Sequence, residues 1–213
     1  MDLPFSHEAF LDVFGRYNTL LWPGVVLLWV VTAWLVGVWL HRGRLNGRAL
    51  FGLLAVHWGW SGIAYHWFFF RGINQAAALF AALFVLQAAL FAWLALASRA
   101  HTTVRIGLRG FIGAALVLYG LAYPLAGVAL GLTYPRMPLF AVPCPTTLVT
   151  AGLLVTTVGA PRFINLLPIL WSIVGTSAAL ALGVRADLAL ALAAAVLTID
   201  MLAPGALGAR SAA

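Results

Sequence analysis

The chain has 213 residues, of which 64% are hydrophobic and only 8% are charged, and its mean hydropathy is +1.03. Soluble domains carry roughly 25% charged residues, so this composition excludes an ordinary soluble protein and predicts an integral membrane protein. All twelve basic residues are arginines, and the net charge is +7. They lie in short clusters between apolar segments, which is typical of membrane topology signals and argues against nucleic-acid binding.

The first predicted element is a short amphipathic helix over residues 6–17. Ser6 is a suitable N-cap, and Glu8 lies in the first turn. Aromatic side chains recur at intervals of three and four residues on one face: Phe10, Phe14 and Tyr17. We expect this helix to lie at the membrane interface, in contact with the lipid bilayer.

Seven long apolar segments follow, and about 20 apolar residues suffice for one membrane span. Their boundaries are 20–40, 49–70, 75–98, 107–133, 144–160, 165–184 and 187–204. They leave no room for a soluble domain, so we predict a single transmembrane domain over residues 1–213. The predicted fold class is an all-α membrane protein, a compact bundle of about seven transmembrane helices.

The arginines predict the orientation of this bundle. The segments on one side carry eight of them: Arg42, Arg44, Arg48, Arg99, Arg105, Arg109, Arg162 and Arg210. The segments on the other side carry four: Arg16, Arg71, Arg136 and Arg185. Because basic residues are enriched in cytoplasmic segments, we predict an outside N-terminus and a cytoplasmic C-terminus. Arginine without lysine, among many Ala, Leu and Gly residues, is typical of a GC-rich bacterial genome, so the predicted location is a bacterial inner membrane.

Two histidines lie in the second apolar segment, within the stretch HWGWSGIAYHWFFF. His57 and His66 are nine positions apart, so at about 100° per residue they face nearly opposite sides of a helix and cannot bind one metal together. One interpretation is structural, with each imidazole hydrogen-bonded to a neighbouring helix. The other is functional, because ionisable groups at membrane depth are costly and mark sites. His66, next to Tyr65, is the better functional candidate, whereas His57 shares its face with Ser61.

The stretch VPCPTT, residues 142–147, begins the fifth segment. Two prolines flank Cys144 and remove two backbone donors, which predicts carbonyl groups free of intrahelical hydrogen bonds. Free carbonyls, a thiol and the hydroxyls of Thr146 and Thr147 together suit a solute or a cation. The structural alternative is a proline-shaped helix start in which the threonines satisfy the backbone.

The fourth segment places Tyr119 and Tyr123 one turn apart on one face, and Pro124 predicts a kink just after them. Buried tyrosine hydroxyls usually find a partner. His66 and the threonines of the fifth segment are the expected partners, since they lie at a similar depth.

Asp200 is the only carboxylate clearly inside a predicted span, near its cytoplasmic end. A negative charge at a helix C-terminus is unfavourable, so we expect Asp200 to pair with Arg105, Arg162 or Arg210. The scarcity of buried carboxylates leaves histidine as the main titratable candidate for a proton relay.

Three stretches together resemble a bacterial multi-pass inner-membrane family catalogued only as a domain of unknown function. They are LPFSHEAFLDVFGRYNTLLWP at the start, YHWFFFRGINQAA at 65–77 and VPCPTTLVTAGLLV at 142–155. The resemblance covers nearly the whole chain. It implies that Tyr65, His66, Asn74 and residues 143–147 belong to the family pattern. Gln75 stands where the family has proline, so the following helix start depends on Asn74 as its cap.

Members of that family are sometimes labelled permeases, a label with no established activity behind it. Among cofactors, retinal is excluded because its Schiff base needs a lysine and the chain has none. We predict no cofactor, but the residues leave two open: a haem with one unusual ligand, and a soft metal ion at Cys144 or His66.

We predict a small transporter or channel-like protein with a polar site in the outer half of the bundle, for a small polar solute or ion. The candidate binding residues are Tyr65, His66, Tyr123, Cys144, Thr146 and Thr147. The secondary polar positions are His57, Ser61, Asn74, Tyr119 and Asp200. No nucleophile with a base is visible, so no catalytic residue is predicted. Two alternatives stay open: a non-catalytic membrane subunit or assembly factor, as a homo-oligomer or with a membrane partner, and a haem- or redox-associated membrane protein.

Overall fold

The structure is a computed structural model that describes residues 4–103, 107–203 and 205–208. Helices dominate these residues. The α-helices are α1 (His7–Arg42), α2 (Gly47–Trp60), α3 (Ala77–Ala97), α4 (Leu108–Leu121), α5 (Tyr123–Ala129), α6 (Pro143–Val155), α7 (Leu166–Leu182) and α8 (Ala189–Leu202). A π-helix, Ser61–Phe69, continues α2, and short 3₁₀ turns cover Phe70–Gly72, Arg162–Asn165 and Arg185–Leu188.

The predicted separate interfacial helix over residues 6–17 is wrong, because α1 is one continuous helix of 36 residues. Its start is as predicted: Ser6 Oγ accepts a hydrogen bond of 3.1 Å from the Ala9 amide. Side chains of its first third are buried against the π-helix and against the loop at 135–141, and this packing keeps the segment helical. At 1.5 Å per residue α1 is about 54 Å long, which exceeds a bilayer core of about 30 Å.

In the part of the chain that the structure describes, three helical segments are long and apolar enough to cross a membrane: α1, α3 and Arg162–Leu182. The α4–α5 pair would be a fourth, bent by 65° where Pro124 predicts a kink. The other predicted spans are helical too, but α6 has 13 residues and α8 has 14. The structure therefore supports a membrane protein with three to four candidate spans.

A small antiparallel sheet, absent from the prediction, joins three helix connections. Its strands are β1 (Arg44–Asn46), β2 (His101–Thr103) and β3 (Thr157–Val158), in the order β1-β2-β3. The end of the fifth apolar segment forms β3, so the predicted helix 144–160 already ends at Val155. β1 and β2 lie in segments predicted to be cytoplasmic, β3 lies at the predicted cytoplasmic end of the fifth span, and the sheet gathers them at one end of the bundle.

The connections at the opposite end pack on the first third of α1. Asn18 Nδ2 donates to the carbonyl oxygens of Pro135 and Met137, each at 2.7 Å. Arg136 forms ion pairs with Glu8 and Asp12, at 2.5 Å and 2.8 Å. The segments predicted to lie outside are thus gathered together as well.

Helix α6 lies in the centre of the bundle, with nearly all its side chains buried. It packs on α4 so closely that a Cβ atom at Gly152 would overlap the Gly113 carbonyl oxygen. A Cβ atom at Gly120 would lie 3.1 Å from the Pro145 carbonyl oxygen. This glycine-mediated contact brings the end of α4 beside the start of α6, as in small-residue interfaces of membrane helices.

Candidate functional site

The stretch with the two histidines changes its helical geometry halfway. Residues Ser61–Phe69 form a π-helix of nine residues, which includes Tyr65 and His66. π-Helical turns are rare and occur frequently at functional sites. Both side chains point into the bundle, with Tyr65 3% exposed and His66 fully buried.

His57 has a structural environment. Its Nε2 atom lies 2.7 Å from Thr32 Oγ1 on α1. Thr32 Oγ1 also donates to the Leu28 carbonyl oxygen at 2.7 Å. Because the hydroxyl has a single proton, His57 Nε2 must carry a proton and donate to Thr32. His57 therefore joins α1 to α2, as the structural interpretation predicts.

His66 is different, because its surroundings are aromatic. The ring centroids of Phe84 and Trp171 lie 4.8 Å and 4.9 Å from that of His66. Within the part of the chain that the structure describes, neither ring nitrogen has a hydrogen-bond partner. A buried polar group without a partner costs free energy, so helix packing alone does not explain an imidazole here.

Four side chains from four different elements meet near the predicted outer end of the bundle. The Tyr123 hydroxyl donates a hydrogen bond to the carboxylate of Asp187, and the Cys144 thiol lies beside that carboxylate. The phenol of Tyr65 interacts electrostatically with both Cys144 and Asp187. We call these four residues the Asp187 cluster. The structure thus brings together three predicted site residues around a carboxylate that the prediction lacked.

Asp187 lies in the turn between α7 and α8 and is 6% exposed. Among the described residues it forms no ion pair with a basic side chain. Arg185, two positions earlier, is exposed and lines the neighbouring cavity. The groups that stabilise the Asp187 carboxylate are thus a neutral phenol and a neutral thiol.

Trp171 on α7 connects the Asp187 cluster with His66. Its indole lies against the Cys144 thiol on one side and against the His66 ring on another. His66 and Cys144 therefore share a neighbour. The sequence prediction missed Trp171, because a tryptophan in an apolar segment has no distinguishing signal.

The hydroxyls of VPCPTT hold the start of α6 rather than line an opening. Thr147 Oγ1 donates to the Pro143 carbonyl oxygen at 2.8 Å. Thr146 Oγ1 lies 3.2 Å from Ser61 Oγ, and the Thr146 amide donates to the Val142 carbonyl oxygen at 3.2 Å. The threonines thus satisfy the Val142 and Pro143 carbonyl oxygens within the helix, whereas the Ala141 carbonyl oxygen takes its donors from side chains of other elements.

The residue just before this helix start is strained. Ala141 has a φ of 64°, in the left-handed region that residues with a Cβ atom rarely adopt. Its carbonyl oxygen accepts hydrogen bonds from Tyr17 Oη at 3.3 Å and Ser61 Oγ at 3.1 Å. Such strain persists only where the surroundings hold it and is common beside functional sites. Here it fixes the direction in which α6 begins, and with it the position of Cys144.

Two other predicted contacts differ in the structure. Tyr119 Oη donates to the Ala186 carbonyl oxygen at 2.8 Å, so the tyrosines of the fourth segment contact the α7–α8 turn and not His66 or the threonines. Asn74 Oδ1 accepts from the Ala76 amide at 3.0 Å, one residue before α3 begins.

A cavity of about 220 Å³ opens at the same end of the bundle. Its lining includes Phe10, Phe14, Val184, Arg185 and Ala186. Phe14 stacks on Tyr65 with ring centroids 5.6 Å apart, and Ala186 directly precedes Asp187. Phe14 and Ala186 thus connect the cavity wall to the Asp187 cluster, whose own four side chains do not line the cavity.

The opposite end of α8 carries the other buried carboxylate. Asp200 is fully buried and forms an ion pair with Arg109 on α4. Asn165 Nδ2 donates to Asp200 Oδ2 at 3.3 Å, and Arg109 Nη1 donates to the Val155 carbonyl oxygen at 2.8 Å. Asp200 pairs with an arginine, as predicted, but the described partner is Arg109 rather than Arg162. The other two predicted partners, Arg105 and Arg210, lie outside the described residues.

In residues 4–103, 107–203 and 205–208, no three metal-ligating side chains lie close enough to hold an ion together. Comparison with known proteins gives one match, to the model of DUF6064, a family of unknown function, over residues 7–210. The chain belongs to this family. No curated protein and no solved structure matches it. In this DUF6064 protein the Asp187 cluster and both histidines fall inside the matched range.

Proposed function

We propose that this DUF6064 protein is a multi-pass transporter of a bacterial inner membrane. Its binding site is the Asp187 cluster, in the outer half of the bundle, and its cargo is a small polar solute or ion. One observation carries the proposal: Asp187, a buried carboxylate without a basic partner among the described residues, directly follows Ala186 in the wall of a cavity at the predicted outer end.

The membrane arrangement in this proposal has seven spans, with the N-terminus outside and the C-terminus in the cytoplasm. The seven predicted segments are all helical, and their connections gather in two sets at opposite ends. The end with the sheet includes Arg44, and its flanks hold most of the arginines, in agreement with the positive-inside rule. Helix α6, central and short, contributes Cys144 from its outer end.

The chemistry of the Asp187 cluster supports reversible binding. A carboxylate in an apolar surrounding is costly unless it is neutralised. The phenol of Tyr123 and the thiol of Cys144 stabilise Asp187 only as neutral donors, so an incoming positive charge or proton gains a free-energy advantage there. Trp171 and the unpartnered nitrogens of His66 continue this polar region deeper into the bundle.

The sheet end of the bundle is closed by the ion pair between Arg109 and Asp200 and by the bond from Asn165. A cargo that entered from outside would stop above these residues. Transport therefore requires a second conformation in which the contact between the start of α4 and the end of α8 opens.

Cys144 is the only cysteine in the chain, and its thiol belongs to the cluster, so labelling reports access to the site directly. The wild type and Cys144→Ala, which is the control for background, are treated with a membrane-impermeant maleimide in right-side-out and in everted vesicles. We expect labelling of the wild type in both preparations, because a transporter exposes its site to each side in turn.

Labelling from the outside alone would indicate an outward-facing binding protein and not a transporter. Absence of labelling from both sides would overturn the proposal and favour a non-catalytic membrane subunit. One feature favours that second candidate, an apolar groove of about 680 Å³ between α1 and α2, lined by Leu20, Val56, Ile63 and Phe68 among others. Such a groove suits another membrane helix.

A further inference from the structure

We propose that the sheet end of the bundle binds the headgroup of an anionic phospholipid through Arg48, Arg99 and Arg162. This site lies at the opposite end from the Asp187 cluster, and it requires only that the protein lies in a membrane. Three observations support it: the distribution of charge along the chain, the geometry of the small sheet, and the exposed apolar side chains beside the arginines.

The net charge of the chain is concentrated at the sheet end. The segments predicted to lie on this side hold eight arginines and a single carboxylate, Asp200. They therefore carry a charge of +7, which equals the formal net charge of the whole chain. The opposite side holds four arginines and four carboxylates, which cancel. The sheet end is thus the part of the protein that attracts anions.

The arginines of the sheet end are free to bind an external anion. Asp200 is buried in its ion pair with Arg109. In the part of the chain that the structure describes, five exposed arginines at this end form no ion pair: Arg42, Arg44, Arg48, Arg99 and Arg162.

The sheet places Arg48 and Arg99 opposite each other. In the antiparallel pair of β1 and β2, Asn46 lies opposite His101. The same register continues beyond the strands, because Gly47 packs so closely on Ala100 that a Cβ atom at Gly47 would overlap the Ala100 carbonyl oxygen. The next two residues in this register are Arg48 and Arg99.

Arg162 approaches the same edge of the sheet from the third connection. Gly159, directly after β3, packs on the other side of Ala100, since a Cβ atom at Gly159 would lie 3.5 Å from Ala100 Cα. Arg162 follows three residues later. Ala100 is thus held between Gly47 and Gly159, and arginines from three different connections lie at one edge.

Three positive charges at one edge favour an anionic ligand. Like charges that lie opposite each other destabilise a pair of strands, so an anion between them offsets this repulsion. Guanidinium groups form paired, charge-assisted hydrogen bonds with phosphate oxygens. The chemistry of the site therefore suits a phosphate group.

The exposed apolar side chains beside the arginines indicate a lipid as the source of that phosphate. Leu96, three residues before Arg99 at the end of α3, is 81% exposed, and Phe163, directly after Arg162, is 47% exposed. Both belong to segments apolar enough to cross a membrane. Acyl chains cover such side chains, while neighbouring arginines reach the headgroup level. A nucleic acid or a soluble phosphate compound leaves them uncovered.

The test compares phosphatidylglycerol with phosphatidylcholine of the same acyl chains, each added to the full chain in detergent. Native mass spectrometry measures the affinity for each lipid, and the melting temperature reports its stabilising effect. We expect phosphatidylglycerol to bind about tenfold more tightly or more, since the attraction of two or three basic residues to an anionic headgroup has about that effect. Added salt should weaken this preference.

The double variant Arg48→Gln with Arg99→Gln should lose the preference for phosphatidylglycerol. Arg42→Gln with Arg44→Gln is the matched control, because it removes the same charge from the same end of the molecule. Arg42 ends α1 and Arg44 lies at the other end of β1. This control should change the affinity for phosphatidylglycerol by about twofold or less, because water and salt screen charges outside the site.

Equal affinities of the wild type for the two lipids would overturn the inference, and this comparison decides the matter even where a variant does not fold. Equal losses in the two double variants would show a diffuse attraction rather than a site. Glycerol 3-phosphate that binds as tightly as the lipid would identify a soluble phosphate ligand instead. A short oligonucleotide that displaces phosphatidylglycerol at physiological ionic strength would identify a nucleic-acid partner. Each of these last three results also contradicts the lipid site.

Discussion

Two buried carboxylates lie at the two ends of α8, and their surroundings are opposite. Asp200, at the sheet end, is paired with Arg109 and held by Asn165. Asp187, at the cavity end, is held by the neutral donors of Tyr123 and Cys144. One partner of each carboxylate comes from the α4–α5 unit, since Arg109 lies in the first turn of α4 and Tyr123 begins α5.

This difference separates a structural ion pair from a candidate site. A buried charge whose counter-charge is built in has no need of a ligand, and removing either partner leaves the other charge stranded. A buried carboxylate without a built-in cation is available to a proton or a cationic ligand. The comparison therefore predicts that changes at Asp200 act on stability, whereas changes at Asp187 act on binding.

Asp200→Leu should have the largest effect, because it removes the described counter-charge of Arg109, whose side chain is only 11% exposed. We expect a loss of about 3–5 kcal/mol of stability, measured as a lower melting temperature in nanodiscs. The double variant Arg109→Met with Asp200→Leu is the control and should recover most of this loss. A single variant as stable as the wild type would show that the ion pair has no structural role.

Gly152→Ala comes next, because the added Cβ atom would overlap the Gly113 carbonyl oxygen between α4 and α6. This contact positions the α4–α5 unit, which supplies Arg109 to Asp200 and Tyr123 to Asp187. We expect a destabilisation of about 1–3 kcal/mol. Gly37→Ala is the matched control, since a Cβ atom there meets nothing within 4 Å and alanine favours the helix. Equal melting temperatures for the two variants would contradict the close packing.

The two histidines should respond in opposite directions to the same substitution. His57→Phe loses the hydrogen bond to Thr32 and should lower stability by about 1 kcal/mol. His66→Phe removes two unpartnered nitrogens from aromatic surroundings and should leave the melting temperature unchanged or raise it. A drop for His66→Phe as large as that for His57→Phe would mean that the nitrogens of His66 have structural partners.

Asp187→Asn should change stability by less than about 1 kcal/mol, because the amide oxygen still accepts from Tyr123 and no counter-charge is stranded. The measurement is the melting temperature without ligand, beside that of Asp200→Asn, which makes the same chemical change. Equal losses for both variants would remove the distinction between the two carboxylates.

The smallest effect is expected at an exposed ion pair. The hydrogen bond from Arg136 lowers the pKa of Glu8 below its ordinary value of 4.5. The pair therefore contributes stability above that value, and this contribution disappears as the pH falls through the lowered pKa. Melting temperatures against pH should show Glu8→Gln slightly below the wild type at pH 7, with the two curves meeting at acid pH. A difference in melting temperature between the two proteins that grows on acidification would contradict a stabilising ion pair.

The seven helical segments are predictable from the sequence, because hydrophobicity marks them whatever their neighbours are. The helix starts after Ser6 and at Pro143 follow from local rules of capping and proline placement. The continuity of α1 is not predictable, since it depends on tertiary contacts such as those of Asn18 with the Pro135 and Met137 carbonyl oxygens.

The candidate site is predictable only in part. Tyr65, Tyr123 and Cys144 stand out as polar groups in apolar segments, but one sequence does not tell which helices are neighbours. Asp187 lies at the edge of an apolar segment, where a carboxylate has the pattern of an ordinary loop residue. Its predicted position in the membrane could have indicated a site, because Asp187 begins the last predicted span at the same membrane level at which Cys144 begins the fifth span.

The proposed site depends on the negative charge of Asp187, which has no basic partner among the described residues, beside an accessible Cys144. Two methanethiosulfonate reagents of opposite charge, one with a trimethylammonium group and one with a sulfonate group, test it directly in right-side-out vesicles. The rate of each reagent with Cys144 is divided by the rate of the same reagent with free cysteine. The reactivity of the Cys144 thiol itself then cancels when the two normalised rates are compared. We expect the cationic reagent to modify the wild type about tenfold faster or more than the sulfonate reagent, and Asp187→Asn to lose this preference. Equal normalised rates in the wild type, or a preference that persists in Asp187→Asn, would contradict it.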